Sequence, residues 1–167
     1  MKKKVTRALI AGLTLLASSA VWAGTEVHFT KPEQFTDLPF NAQDREEVLK
    51  QLSAHFEKLG ASLPPGQNLK IDVTDVDLAG REEPARNIGQ DFRVMNGRVD
   101  WPRIRLHYVL EQDGKVISSA DSALSDMSYL TRINHYSSGE KLRYEKAMID
   151  DWFAKTFGKP VKRAGRK

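Results

Sequence analysis

The sequence predicts an α+β fold: a mainly antiparallel sheet with two helices packed on one face, in the order β-α-β-β-β-α with an extra short hairpin. Three observations lead there. Apolar residues recur at helical spacing twice, early as Val48, Leu49, Leu52, Phe56 and Leu59, and late as Leu142, Met148, Ile149, Trp152, Phe153 and Phe157. Between them Ile104, Leu106, Tyr108 and Leu110 alternate with Arg103, Arg105, His107 and Glu111, as in a strand with one wet face. Finally, Asn96-Gly97 and Asp113-Gly114 are dipeptides that tight hairpin turns prefer, because both central residues of a type I′ turn need positive φ.

Taken in order, Thr25 to Thr30 alternates with Val27 and Phe29 on one side and predicts a short first strand. A loop with Pro32 and Pro39 follows, and Asn41 is a natural cap for a helix whose first turn holds Asp44, Glu46 and Glu47 at the positive end of the helix dipole. Gly60 is the expected stop. After Pro64-Pro65-Gly66, Leu69, Ile71 and Val73 alternate, then the phase slips to Val76 and Leu78, which predicts a bulge near Thr74. If the first and second strands are parallel, a right-handed crossover joins them. Ala79 to Gln90 is polar and aperiodic, so it is expected to be a mobile loop.

Asn96-Gly97 is expected to join Phe92–Met95 to Arg98–Trp101 as the extra hairpin, with Pro102 interrupting the ladder before the central strand. Asp113-Gly114 then leads into a Ser- and Ala-rich partner strand from Lys115 to Leu124. Ser137 with Glu140 three residues on forms a capping box ahead of the final helix, which Gly158 and Pro160 end.

Ahead of this domain, Lys2, Lys3, Lys4 and Arg7 precede a weakly apolar run from Ala8 to Ala20 and the small-x-small pattern Val21-Trp22-Ala23. That is the anatomy of a cleavable export signal, with cleavage expected after Ala23. The run is too short and too rich in Ser, Thr and Gly to span a bilayer, which takes about 20 apolar residues. Residues 1–23 are thus expected to be the signal peptide, 24–158 one domain, and 159–167 a basic disordered tail. The expected location is the bacterial periplasm. With no cysteine in the chain, neither a lipid anchor on the first mature residue nor a disulfide is available. The full chain has 26 Lys and Arg against 22 Asp and Glu, but losing the four basic signal residues leaves 22 of each. A neutral mature chain removes the argument for a nucleic-acid partner.

Candidate chemistry is sparse. Taking Asp75 as the first position of a calcium loop places Gly80 correctly but puts Ala79 and Arg86 where oxygen ligands are required, so Asp72, Asp75 and Asp77 read as a solvated strand face. His28, His55, His107 and His135 show no paired spacing for zinc. None of Ser118, Ser119, Ser122, Ser125 and Ser128 lies in a nucleophile elbow, and Gly80 and Gly89 stand too far apart to cradle phosphate. No metal ligand, catalytic residue or cofactor is therefore assigned. Arg81, Arg86, Arg93, Arg98, Arg103 and Arg105 occur in a stretch without lysine. Arginine forks grip carboxylate and phosphate bidentately, which suits an anionic envelope component or an envelope protein, with Arg103 and Arg105 on one strand face. Against this, the arginines have Glu82, Glu83, Asp91 and Asp100 nearby as surface ion-pair partners. Trp101 beside Pro102 reads as a corner residue rather than a ligand platform. Lys159, Lys162, Arg163, Arg166 and Lys167 could touch anionic envelope surfaces or simply keep the terminus soluble. The class weighed against a binding module is a hydrolase whose residues converge only on folding, with His107, His135 and Asp126 as candidate acids or bases.

Phe35-Thr36-Asp37, Asp75-Val76-Asp77-Leu78-Ala79-Gly80, Asp100-Trp101-Pro102-Arg103-Ile104 and Tyr144-Glu145-Lys146 together resemble the family catalogued as domain of unknown function 3016. The resemblance runs from about Val27 to Phe157 and implies an exported, Gram-negative origin. It brings no activity, cofactor or site residue with it.

Overall fold

In chain order the elements are β1 (Gly24–Phe29), a 3-10 turn (Pro32–Gln34), α1 (Ala42–Gly60), β2 (Gln67–Asp77), β3 (Arg81–Glu83), β4 (Phe92–Val94), β5 (Arg103–Gln112), β6 (Lys115–Ser125) and α2 (Arg143–Phe157). They come from a computed structural model that describes residues 24–83 and 92–158. Four strands form one sheet in the order β1-β2-β5-β6, with β1 parallel to β2 and the other neighbours antiparallel. The α+β class and the element order follow the sequence.

The alternation of β2 and β5 decides which face is inside. Leu69, Ile71, Val73 and Val76 of β2 and Ile104, Leu106, Tyr108 and Leu110 of β5 join Leu52, Phe56 and Leu59 of α1 and Met148, Ile149 and Phe153 of α2 in one core. Both helices therefore cover the same face, and each large apolar side chain buried there contributes about 1.5–3 kcal/mol. The bulge falls where the phase slip places it, between Val73 and Asp75. It returns Val76 to the core and sends Asp75 and Asp77 to the helix-free face with Arg103 and Arg105. Asp113 and Gly114 both take positive φ, 51° and 79°, as their tight turn demands. Asn41 caps α1, its side chain accepting from Gln43 N at 2.8 Å.

Three local expectations need correction, and one glycine has a second role. As expected, α1 ends at Gly60, where a Cβ would sit 1.7 Å from Thr25 Oγ1. Its bareness lets the helix lie against β1. Asn96-Gly97 does not make a hairpin with Arg98–Trp101, because the Asp100 carboxylate takes the N–H groups of Asn96 (2.6 Å) and Gly97 (2.8 Å) and closes the loop on itself. The partner of β4 is instead β3, with Arg81 opposite Val94. The start of the 79–90 segment is thereby a strand rather than loop, while 84–91 lies outside the described residues. The Ser137–Glu140 box does not open α2, which starts at Arg143 with Leu142 at the cap in left-handed backbone (φ 58°) and no side-chain cap. Glu140 is drawn away by an ion pair with Lys146.

This topology gathers the long connections at one end of the molecule. β1, β2 and β6 finish there, β5 starts there, and both helices begin there, so residues 30–41, 78–83, 92–102 and 126–142 form a common loop end.

Candidate functional site

The candidate arginines have separate fates. Arg81 pairs with Glu83 at 2.7 Å, one of the surface pairings weighed from sequence. Arg93 is drawn inward, pairing with Asp37 and donating through Nε to Ala79 O at 3.1 Å. Arg103 donates through Nε to Asp77 Oδ2 at 2.8 Å and lies over Trp101, 5.3 Å from the ring centroid. Arg98 is exposed in the loop. Arg86 and the basic tail, Lys159, Lys162, Arg163, Arg166 and Lys167, lie outside the described residues. Arg103 and Arg105 do share the open face, but they do not act alike: Arg103 is neutralised by its cross-strand carboxylate, while Arg105 has no ion-pair partner among the described residues.

Arg105 stands over a depression of about 470 Å³ lined also by Thr30, Lys31, Gln34, Thr36, Thr74 and Asp75. Asp75 is the residue opposite Arg105, yet its oxygens are taken by Thr36 N (2.8 Å) and Thr36 Oγ1 (3.0 Å). Lys31, missed from sequence, is unpaired among the described residues and held in left-handed backbone at φ 54°, a strained conformation for a side-chain-bearing residue. It precedes the 3-10 turn that Pro32 opens, and Gln34 N closes that turn on Lys31 O at 2.9 Å. Two free cations and one amide thus face a single concavity, an arrangement suited to phosphate or carboxylate.

The open face also carries one row across all four strands, His28 opposite Asp72, Asp72 opposite His107, and His107 opposite Asp121. His28 Nδ1 lies 3.0 Å from Asp72 Oδ1, and Thr30 donates to the same oxygen at 2.6 Å. Those bonds hold the Asp72 carboxyl below its usual value, the Thr30 hydroxyl contributing most. His107 Nδ1 lies 2.7 Å from Asp121 Oδ1, and its Nε2 lies 3.0 Å from Ser119 Oγ. The trio His107, His135 and Asp126 is not assembled: Asp126 is held by Arg132 at 2.9 Å and His135 is exposed. Among the described residues no group of three His, Asp or Glu forms a metal-ligand set, and none of their helices is long and apolar enough to cross a membrane.

A second concavity, about 890 Å³, lies at the loop end between the first turns of α1 and α2 and the β3–β4 arm. Glu145 in its wall is 3% exposed and accepts from Ala79 N at 2.7 Å. Burial pushes its carboxyl above the usual range, against the pull of that N–H and of Arg93. A readable signal existed: Glu145 stands three and four residues before Met148 and Ile149, on the apolar stripe of α2. Nearby, Tyr129 donates to Asp100 Oδ1 at 3.0 Å and its hydroxyl is pushed up to about 12, by burial first and then by that carboxylate.

The stretches that carry the family resemblance meet here. Thr36 binds Asp75, Asp37 binds Arg93, Gly80 N donates to Asp100 O at 2.8 Å, Arg103 binds Asp77, and Glu145 binds Ala79. Much of the motif content therefore builds the loop end. The family described as Protein of unknown function (DUF3016) matches residues 23–155. No curated protein and no solved structure matches the chain.

Proposed function

The chain belongs to the family of proteins of unknown function DUF3016, and from that premise we propose that it is an exported, non-catalytic binding module of the bacterial envelope that holds an anionic envelope component on the open face of its sheet. The observation that carries the reading is the pair Lys31 and Arg105, both unpaired among the described residues and both lining one depression. A free guanidinium can clasp two oxygens of a phosphate or carboxylate, each charge-assisted bond contributing about 1.5–3 kcal/mol before solvent screening. Export is supported by the basic start, short apolar run and Ala23 site of residues 1–23. The test is crosslinking in intact cells with wild type and a Lys31→Gln/Arg105→Gln variant, alongside the mass of the recovered protein. The reading expects a chain beginning at Gly24 and a specific envelope component lost in the variant. Equal capture by both proteins would overturn the site, and a full-length intracellular chain would overturn export.

A second reading, a hydrolase, is favoured by one observation, the chain Ser119 Oγ, His107, Asp121. That order matches nucleophile, base and orienting acid. Asp121 is 93% exposed, however, so water screens the carboxylate that would orient the base. Covalent labelling of Ser119 by a fluorophosphonate, lost in His107→Ala, would favour this reading over the first.

A further inference from the structure

The concavity between the two helix starts is independent of the sheet-face depression, and its chemistry is different. Its α1 side and the β3 strand bring Asp44, Glu47 and Glu82, none of which has an ion-pair partner among the described residues. Its α2 side brings Lys141 and Arg143, and the β4 strand brings Arg93. Leu78, Met95 and Val48 give it an apolar lining between these charges. A volume of about 890 Å³ lies within the range of small-molecule sites, roughly 300–1,000 Å³.

Lys141 and Arg143 in that lining have no ion-pair partner among the described residues, whereas Arg93 is held by Asp37, so an oxygen anion placed against the first two is favourable. The first turn of α2 adds to this, because Leu142 offers no side-chain cap to its N–H groups. An anion alone would be repelled by the carboxylates on the opposite side. A molecule with a carboxylate at one end and an ammonium at the other satisfies both sides.

We infer that the cleft between the N-terminal ends of α1 and α2 is a binding site for a short peptide with free termini, its carboxylate on Arg143 and Lys141 and its amine toward Asp44 and Glu47. The peptide's small side chains lie along Leu78 and Met95. Anchoring at both ends fixes its direction and limits its length to that of the cleft.

The experiment is an amide NMR titration of the chain from Gly24 to Lys167 with trialanine, N-acetyl-trialanine and trialanine amide at millimolar concentration. Trialanine is expected to give saturable shifts at Tyr144, Met95 and Leu78. Amidation of the carboxylate, or Arg143→Gln, is expected to weaken binding about tenfold or more. Asp44→Asn, an exposed change that leaves the fold intact, is expected to weaken trialanine but not the acetylated peptide, which a merely structural role for Asp44 would not produce. Absence of saturable shifts, equal affinity for the three peptides, or unchanged binding in Arg143→Gln would each overturn the inference. Because the sheet-face depression shares none of these residues, either outcome leaves the Lys31 and Arg105 reading to its own test.

Discussion

Glu145 offers the sharpest test of how the loop end is held. Its carboxyl is buried and accepts the N–H of Ala79, so Glu145→Ala leaves a buried donor unmade, at about 1–3 kcal/mol, and removes one buried methylene at about 0.8 kcal/mol. A loss of about 2–4 kcal/mol follows. Glu145→Gln keeps the shape and an acceptor oxygen, and the expected loss is under about 1 kcal/mol. Because burial raises the folded-state value above the unfolded one near 4.3, the carboxyl's contribution is complete below about pH 4 and is lost as pH rises through the folded value. Glutamine carries no such proton. Urea unfolding followed by tryptophan fluorescence, from acid to mildly alkaline pH, is therefore expected to show the wild type losing ground to the Gln variant as pH rises. A wild type that gains on Gln with rising pH, or an Ala variant within about 0.5 kcal/mol of wild type, would refute the reasoning.

Three other changes have definite outcomes. Gly60→Ala gains about 1 kcal/mol of helix propensity but drives a methyl into Thr25, so a net loss of about 1–2 kcal/mol is expected in the same unfolding assay. His55→Ala empties a buried position between α1 and α2 and strips Asp150 of the Nε2 bond at 2.8 Å, leaving only Tyr136, with an expected loss of about 2–3 kcal/mol by thermal or urea unfolding. Burial pulls the Asp100 carboxyl up, but the N–H groups of Asn96 and Gly97 and the hydroxyl of Tyr129 outweigh it and hold it below its usual value. Its stabilisation is thus present above the unfolded value near 3.9 and lost as pH falls, so the gap between wild type and Asp100→Asn is expected to close on acidification.

What the sequence could reveal was whatever repeats at a fixed period. The two helical stripes, the alternation of β5 and the slip at Thr74 all report which face is buried, and a buried face constrains every second or every third and fourth residue. The missed features depend on partners far along the chain. Asn96-Gly97 looks like a hairpin until Asp100 folds back on it, and nothing near Gly60 in the sequence shows that Thr25 lies against it. The arginines were legible as a group but not as individuals, since Asp37 and Asp77 reach Arg93 and Arg103 only through the parallel and antiparallel pairings of β2. Lys31 gave no periodic signal at all, because its role comes from a turn geometry that places it beside Arg105.

The most direct test of that placement is a titration of the chain from Gly24 with inorganic phosphate, followed by NMR of the Lys31 and Arg105 side chains at low salt. Saturable shifts that disappear in Arg105→Gln and persist in Arg103→Gln are predicted, because Arg105, unlike Arg103, has no ion-pair partner among the described residues. Shifts that survive in Arg105→Gln, or no saturable response in the wild type, would contradict the claim that the open face of the sheet holds an anion.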